Sequence, residues 1–212
     1  MATTTTNFSL TFKDNGLYNL WKKILSHKTS SDVTCAACDE EGNLFVTDGM
    51  RVLAMYGHNL TEFTPGCCYK MTAAASKTIF FEIKEKDNRV LNMKKMLERP
   101  EFKELTEPHT VNYWHSLEMG FAIYQYKRWS ANDWDGRHHR YPTLDHDYLM
   151  DVANAKLFDV YSKATFFDTG LILTTEDATS AILGEHGERA TFDTVKYYLM
   201  AIMTEHISYR EV

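Results

Sequence analysis

The densest run of chemically capable side chains is Lys127-Arg-Trp-Ser-Ala-Asn-Asp-Trp-Asp-Gly-Arg-His-His-Arg-Tyr141, continued by Asp145-His146-Asp147. Asp133, Asp135, His138, His139, His146 and Asp147 are oxygen and nitrogen donors of the kind that hold a divalent metal for hydrolysis. The interleaved Arg, Lys and Trp also suit stacking on bases and holding phosphates, so the same run can serve a nucleic acid or a partner. Hydrolysis has little else behind it. No ligand pair has helical i, i+4 placement before the next predicted helix, and Gly-rich phosphate loops, nucleophile elbows and His-Glu-x-x-His are absent. A solvated loop is the favoured reading, with a metal-dependent hydrolase using the His/Asp loop at 133–147 kept as an alternative. The expectation is a non-enzyme with no catalytic residue, no metal and no cofactor.

The cysteines offer a second chemistry. Cys35-x-x-Cys38 and the adjacent Cys67-Cys68 have a spacing that invites zinc. Asp32-Val-Thr-Cys-Ala-Ala-Cys-Asp39 reads as a strand, however, so Cys35 and Cys38 should point to opposite faces, and neighbours Cys67 and Cys68 likewise. Buried thiols in a reducing compartment are the expectation, ahead of a metal or redox pair.

These residues must be positioned by a chain of 212 residues, long enough for one large domain or two small ones. Phe8–Phe12 alternates apolar and polar as a half-buried strand does. Leu17, Leu20, Trp21, Ile24 and Leu25 recur at helical spacing behind an Asp14 or Asn15 cap, and strands follow at Val33–Cys38, Leu44–Thr47 and Arg51–Tyr56. Tyr69–Thr72 and Ile79–Lys84 read as strands, Val90, Met93 and Leu97 as a helix stopped before Pro100, and Trp114–Trp129 as aromatic-rich strands. A last unit has a helical stripe of Tyr148, Leu149, Val152, Ala153 and Leu157 after an Asp145 cap. Strands near Val160–Phe166, Leu171–Thr174, Ser180–Gly184 and Tyr197–Met203 complete it.

The strongest local signal is Asn43-Leu-Phe-Val-Thr-Asp-Gly-Met-Arg-Val-Leu-Ala-Met-Tyr56. Asp48-Gly49 between two apolar runs is a hairpin turn, since Gly49 accepts positive φ and Asp48 can bond its own backbone. This hairpin resembles the Ala-Thr-Asp-Gly-His-Arg-Leu run of the bacterial DNA polymerase III beta sliding clamp family at Val46, Thr47, Asp48, Gly49, Arg51 and Leu53, departing at Met50 and Val52. Tyr197-Tyr-Leu-Met-Ala-Ile202 resembles the Tyr-x-x-Met-Pro-Met strand that closes such a clamp, with Ala201 in place of Pro. Tyr141-Pro-Thr143 is similar to the Phe-Pro step before the third clamp domain.

The resemblance covers roughly the first 60 and last 65 residues. It implies an α+β, sliding-clamp-like fold of βαβββ repeats, with helices packed on antiparallel sheets, in a clamp lacking its first domain. Two clamp-like domains at 1–106 and 107–212 are the favoured division, and a single domain with an insertion at 66–140 is the alternative. In the family, hairpin and closing strand face each other across a domain boundary and form a peptide pocket. Carried across, this implicates Thr47, Gly49, Met50, Arg51 and Val52 on one wall and Tyr198, Met200 and Ile202 on the other, as a shallow groove for a partner's Leu or Phe anchors. A groove role for Arg51 and Met200 predicts that alanine there weakens partner capture and leaves thermal stability mostly intact.

The implied function is a DNA-tethering or replication-accessory protein that encircles double-stranded DNA as a homo-oligomer and binds DNA polymerase or other replication proteins. A net charge of -6 argues against bulk nucleic-acid binding. A ring needs positive charge only on its lining, for which Lys22, Lys23, Lys28, Lys94, Lys95 and Arg99 are the candidates. The alternative within the same fold is a binding or decoy protein of a phage or mobile element acting on host proteins without encircling DNA. With no run approaching the roughly 20 apolar residues of a membrane span, and no signal-peptide pattern at the start, the expectation is a cytoplasmic protein.

Overall fold

The computed structural model describes residues 7–27, 33–98, 111–112, 146–155, 163–167, 170–184 and 187–200. The first unit runs β1 (Asn7–Phe12), α1 (Asn15–Ser26), β2 (Cys35–Cys38), β3 (Leu44–Thr47) and β4 (Arg51–Tyr56). A second hairpin, β5 (Cys67–Ala75) and β6 (Thr78–Lys84), leads to the short helices α2 (Asn88–Leu91) and α3 (Met93–Leu97). The last unit is β7 (Val111–Asn112), α4 (His146–Ala155), β8 (Lys163–Phe167), β9 (Gly170–Leu183) and β10 (Arg189–Met200).

All the described strands join one antiparallel sheet of ten, in the order β1-β6-β5-β2-β3-β4-β10-β9-β8-β7. Because the end of β9 also pairs with β1, at Thr11↔Leu183 and Phe12↔Ile182, eight strands close a circuit and β8 and β7 continue outward from β9. Residues β4 and β10 couple the first unit to the last, in register from Tyr56↔Thr194 to Arg51↔Leu199. The fold is thus mixed α/β with a single antiparallel sheet.

The alternation of side chains divides two cores. One face of the central strands presents Ala36, Cys38, Leu44, Val46, Leu53 and Met55 to α1 and α4. The other presents Cys35, Ala37, Phe45, Val52, Ala54 and Tyr198 to Val90 and Met93 of α2 and α3. Burial on both faces is why β2, β3 and β4 read as nearly continuous apolar runs. Helix α1 starts where Asp14 accepts the Leu17 N–H at 3.0 Å, and its stripe of Leu17, Leu20, Trp21, Ile24 and Leu25 is buried. It meets α4 very closely at Gly16, where a Cβ would stand 1.8 Å from the Asn154 carbonyl oxygen. Only glycine permits that approach.

Several expected boundaries are corrected. The stripe Val90, Met93, Leu97 forms two short helices broken at Asn92 rather than one. The strands expected at Leu171–Thr174 and Ser180–Gly184 are one continuous β9, which β10 holds along its length. The closing strand begins at Arg189, well before Tyr197, and β5 extends beyond Tyr69–Thr72 at both ends. The aromatic run Trp114–Trp129 lies outside the described residues.

The cores also set a pH response. Burial pushes the Cys38 thiol up to about 12 and raises the phenols of Tyr56, Tyr69, Tyr197 and Tyr198. These groups are neutral when protonated, so the folded chain keeps protons that the unfolded chain releases above about pH 8.5 for thiols and about 10 for phenols. Their contribution is complete below those unfolded values and is lost as pH rises toward the folded ones. A urea midpoint measured against pH should therefore fall steadily from about pH 9. A midpoint unchanged up to about pH 11 would contradict the burial of these groups.

Candidate functional site

The turn of the first hairpin is closed by the side chains that make it recognisable in the sequence. Gly49 has φ of 87°, the left-handed region open to glycine. Thr47 Oγ1 donates to the Arg51 carbonyl at 2.9 Å and accepts the Gly49 N–H at 3.0 Å. Asp48 Oδ1 accepts the N–H groups of Met50 and Arg51, each at 3.0 Å, and its Oδ2 takes the Arg51 Nε–H at 2.9 Å. Thr47 and Asp48 are fully buried, so these bonds satisfy polar groups with no access to water.

Arg51 then reaches away from the turn. Its Nη1 donates to Asp151 Oδ2 of α4 at 2.9 Å, and its guanidinium carbon lies 4.1 Å from the centre of the Tyr148 ring. The other Asp151 oxygen pairs with Lys23 of α1. Tyr148 Oη stands 3.4 Å from His27 Nε2, and His27 Nδ1 3.4 Å from Asp48 Oδ2. Tyr197 donates to the Tyr148 carbonyl at 3.3 Å. Burial opposes the guanidinium charge, but Tyr197, Asp48 and Asp151 outweigh it and raise the Arg51 pKa. The network ties hairpin, α1, α4 and β10 together.

Hairpin and closing strand are brought together as hydrogen-bonded neighbours in one sheet: Val52 pairs with Tyr198, Arg51 with Leu199, and the Met200 N–H donates to the Met50 carbonyl at 3.0 Å. Of the eight candidate groove residues, Thr47, Arg51, Val52 and Tyr198 are buried. Arg51, at 2% exposure, points beneath the turn into the ion network, and Val52 and Tyr198 belong to the core under α2 and α3. Tyr56 packs against that same core. Gly49 and Met50 are half-buried, Met200 is 43% exposed, and Ile202 lies outside the described residues. The surface part of the candidate groove is therefore Gly49, Met50 and Met200.

The candidate DNA-facing lysines are not brought together. Lys22 and Lys23 ride on α1, packed against one face of the sheet, whereas Lys94 and Lys95 ride on α3, packed against the other. The β5–β6 hairpin returns the chain to the opposite side of the sheet from α1, so the two pairs do not share one face. Lys23 is paired with Asp151, and Lys94 with Glu41 at 2.5 Å. Lys28 and Arg99 lie outside the described residues. So does the run 127–147 apart from His146 and Asp147, which occupy the first turn of α4. Among the described residues no group of three or more His, Cys, Asp or Glu side chains is placed to hold a metal. Cys35 and Cys38 fall in different cores, as the strand period requires. Also among the described residues, no helix is long and apolar enough to cross a membrane.

The sequence reading missed the acidic partner of Arg51. Asp151 stands on the polar side of the helical stripe 148–157, and nothing local marks it as the residue that receives a guanidinium from 100 positions away. The signal available was an Asp one turn from Tyr148 and Leu149 on a helix already read as facing the core.

No protein-family model matches the sequence, and no curated protein sequence matches it. Among solved structures, the Helicobacter pylori beta clamp in complex with 3,4-difluorobenzamide is a distant likeness, with a TM-score of 0.38 and 9% identity over 96% of this chain and 68% of that one.

Proposed function

We propose that this chain is a non-enzymatic, clamp-fold protein that captures a partner through a short apolar surface beside its hairpin turn, and that it does so without a DNA lining. The observation that carries the reading is the order of elements. Among the described residues, strand, helix and three strands follow one another as β1-α1-β2-β3-β4, and helix and three strands as α4-β8-β9-β10, with the two helices packed side by side. The pairings β4–β10 and β1–β9 join these units in one sheet, which favours a single clamp-type domain carrying an insertion at 66–140 over two separate domains. Separation of the lysine pairs onto opposite faces, with Asp147 and Asp151 on the helix beside α1, favours protein over duplex as partner.

Met50 and Met200 supply the contact. Methionine is unbranched and polarizable, so two of them side by side at a sheet surface adapt to Leu or Phe anchors. Labelled short peptides with adjacent Leu and Phe should bind saturably to the chain, and Met200→Ala should weaken that binding about fivefold or more with an unchanged melting midpoint. Equal binding by the variant, or none by the parent, rejects the surface. Salt-sensitive binding of a labelled duplex, together with a ring-sized mass in light scattering, would instead restore the encircling function.

A further inference from the structure

Two strands of this sheet place cysteines directly opposite each other. Cys38, at the end of β2, is in register with Cys67, at the start of β5, and the Gly66 N–H donates to the Cys38 carbonyl at 2.9 Å, fastening the strands at that point. Directly opposed residues in an antiparallel pair have Cα atoms about 4.5–5.5 Å apart and share a face. That separation lies inside the roughly 4.4–6.8 Å window of a disulfide. Both side chains meet the core under α1, where Cys38 is fully buried and Cys67 is half-buried. All four thiols are free.

We propose that Cys38 and Cys67 form a peroxide-responsive dithiol pair, closing to a disulfide that clips β2 to β5. Cys67, the thiol with access to solvent, attacks the peroxide oxygen as its thiolate and becomes a sulfenic acid, releasing one water. The Cys38 sulfur then displaces the hydroxyl from the Cys67 sulfur, and its proton leaves with that oxygen as a second water. Two thiols have lost two electrons and two protons, and the peroxide has been reduced to water. Cys38 is enclosed, so peroxide does not meet it first; it stands opposite Cys67 and resolves the sulfenic acid, passing its proton to the departing hydroxyl as its sulfur attacks.

The competing pair is Cys35 and Cys68, neighbours in the other core. The Cys35 thiol beside it holds the Cys68 thiol down at about 7, which makes it the better nucleophile on chemistry alone. Its geometry is poorer. In the register Ala37↔Cys68 the two cysteines are diagonal, at about 7–8 Å between Cα atoms, the limit of what a disulfide spans without backbone movement. Both are also fully buried, under α2 and α3, so a peroxide reaches neither without local opening.

The test is peptide mapping of the full chain after mild hydrogen peroxide, with free thiols alkylated under denaturing conditions before digestion. The expected product is an intramolecular Cys38–Cys67 cross-linked peptide, with Cys35 and Cys68 still alkylated. Closing a loop of about 30 residues around the β3–β4 hairpin should raise the melting midpoint on the order of 5–10 °C, reversibly with a dithiol reductant. Cys67→Ser, at a half-buried site, should remove both the bridge and the shift. A Cys35–Cys68 bridge forming first, Cys67 over-oxidised beside a free Cys38, or no oxidation at all in the folded chain would each overturn the proposal.

Discussion

Arg51→Ala is expected to cost about 3–5 kcal/mol of folding stability, because it leaves the carboxylates of Asp48 and Asp151 buried with their shared cation gone. Asp48 is fully enclosed, so water cannot replace the guanidinium there, while Asp151, 9% exposed, keeps only its pairing with Lys23. Arg51→Lys should recover only part of the loss. A lysine ammonium is a point charge that cannot place one donor on Asp48, another on Asp151 and a flat face on Tyr148 at once. Met200→Ala, at an exposed position, should fall within about 0.5 kcal/mol of the parent. Urea unfolding of the three variants separates the cases, and a double-mutant cycle of Arg51→Ala with Asp151→Asn should show coupling well above about 0.5 kcal/mol. Small, equal losses for Arg51→Ala and Met200→Ala would put the guanidinium in solvent and return Arg51 to the groove.

That outcome bears on what the hairpin signature means. Thr47, Gly49 and Arg51 were read as groove residues and Asp48 as part of the same hairpin signature, yet each has a task inside the turn: Thr47 a hydroxyl clasp, Asp48 an acceptor for two backbone N–H groups, Gly49 a left-handed φ and Arg51 a counter-ion. These bonds span no more than four residues, which is why the turn was legible from sequence. The Arg51–Asp151 bond spans 100 residues and was not. Position 50, where the resemblance fails, is the one whose side chain takes no part in closing the turn. Binding therefore rests on the two methionines, Met50 and Met200, and the surrounding signature explains the fold.

Strands and helices were legible in proportion to the clarity of their periods. β3 and β4 were bounded correctly and α1 starts behind Asp14, one of its two expected caps, since apolar runs, turn and cap all agree there. The start of β10 was missed although Arg189-Ala-Thr-Phe-Asp193 alternates exposed and buried residues, because Arg, Thr and Asp on the outer face lower its mean hydropathy without altering its period of two. β9 was split for a related reason. Glu176 interrupts the apolar pattern, but its carboxylate accepts the Thr194 hydroxyl at 2.5 Å across the strand pair, so the charge is accommodated without a turn. Which face a lysine helix would occupy could not be read from either helix alone, because that depends on the side of the sheet to which β5 and β6 return the chain.

The same helix that carries Lys22 and Lys23 holds the side chain whose loss should cost most by cavity formation. Trp21 is fully enclosed, with Phe12 at 5.5 Å and Phe81 at 6.4 Å between ring centroids, both edge-on. Trp21→Ala is expected to lose about 3–5 kcal/mol, since β1 and β6, paired with each other inside the closed circuit of strands, cannot move in to fill the space. For a chain of this size that corresponds to a melting shift on the order of 10 °C. The indole N–H, however, has no acceptor among the described residues. A buried donor without a partner costs about 1–3 kcal/mol, so Trp21→Phe removes that penalty while keeping most of the aromatic surface. It should come within about 1–2 kcal/mol of the parent despite its smaller ring. Calorimetry of the two variants decides the point: a Phe variant as unstable as the Ala variant would mean that the indole nitrogen is bonded, and that Trp21 contributes through its N–H rather than by filling the core between α1, β1 and β6.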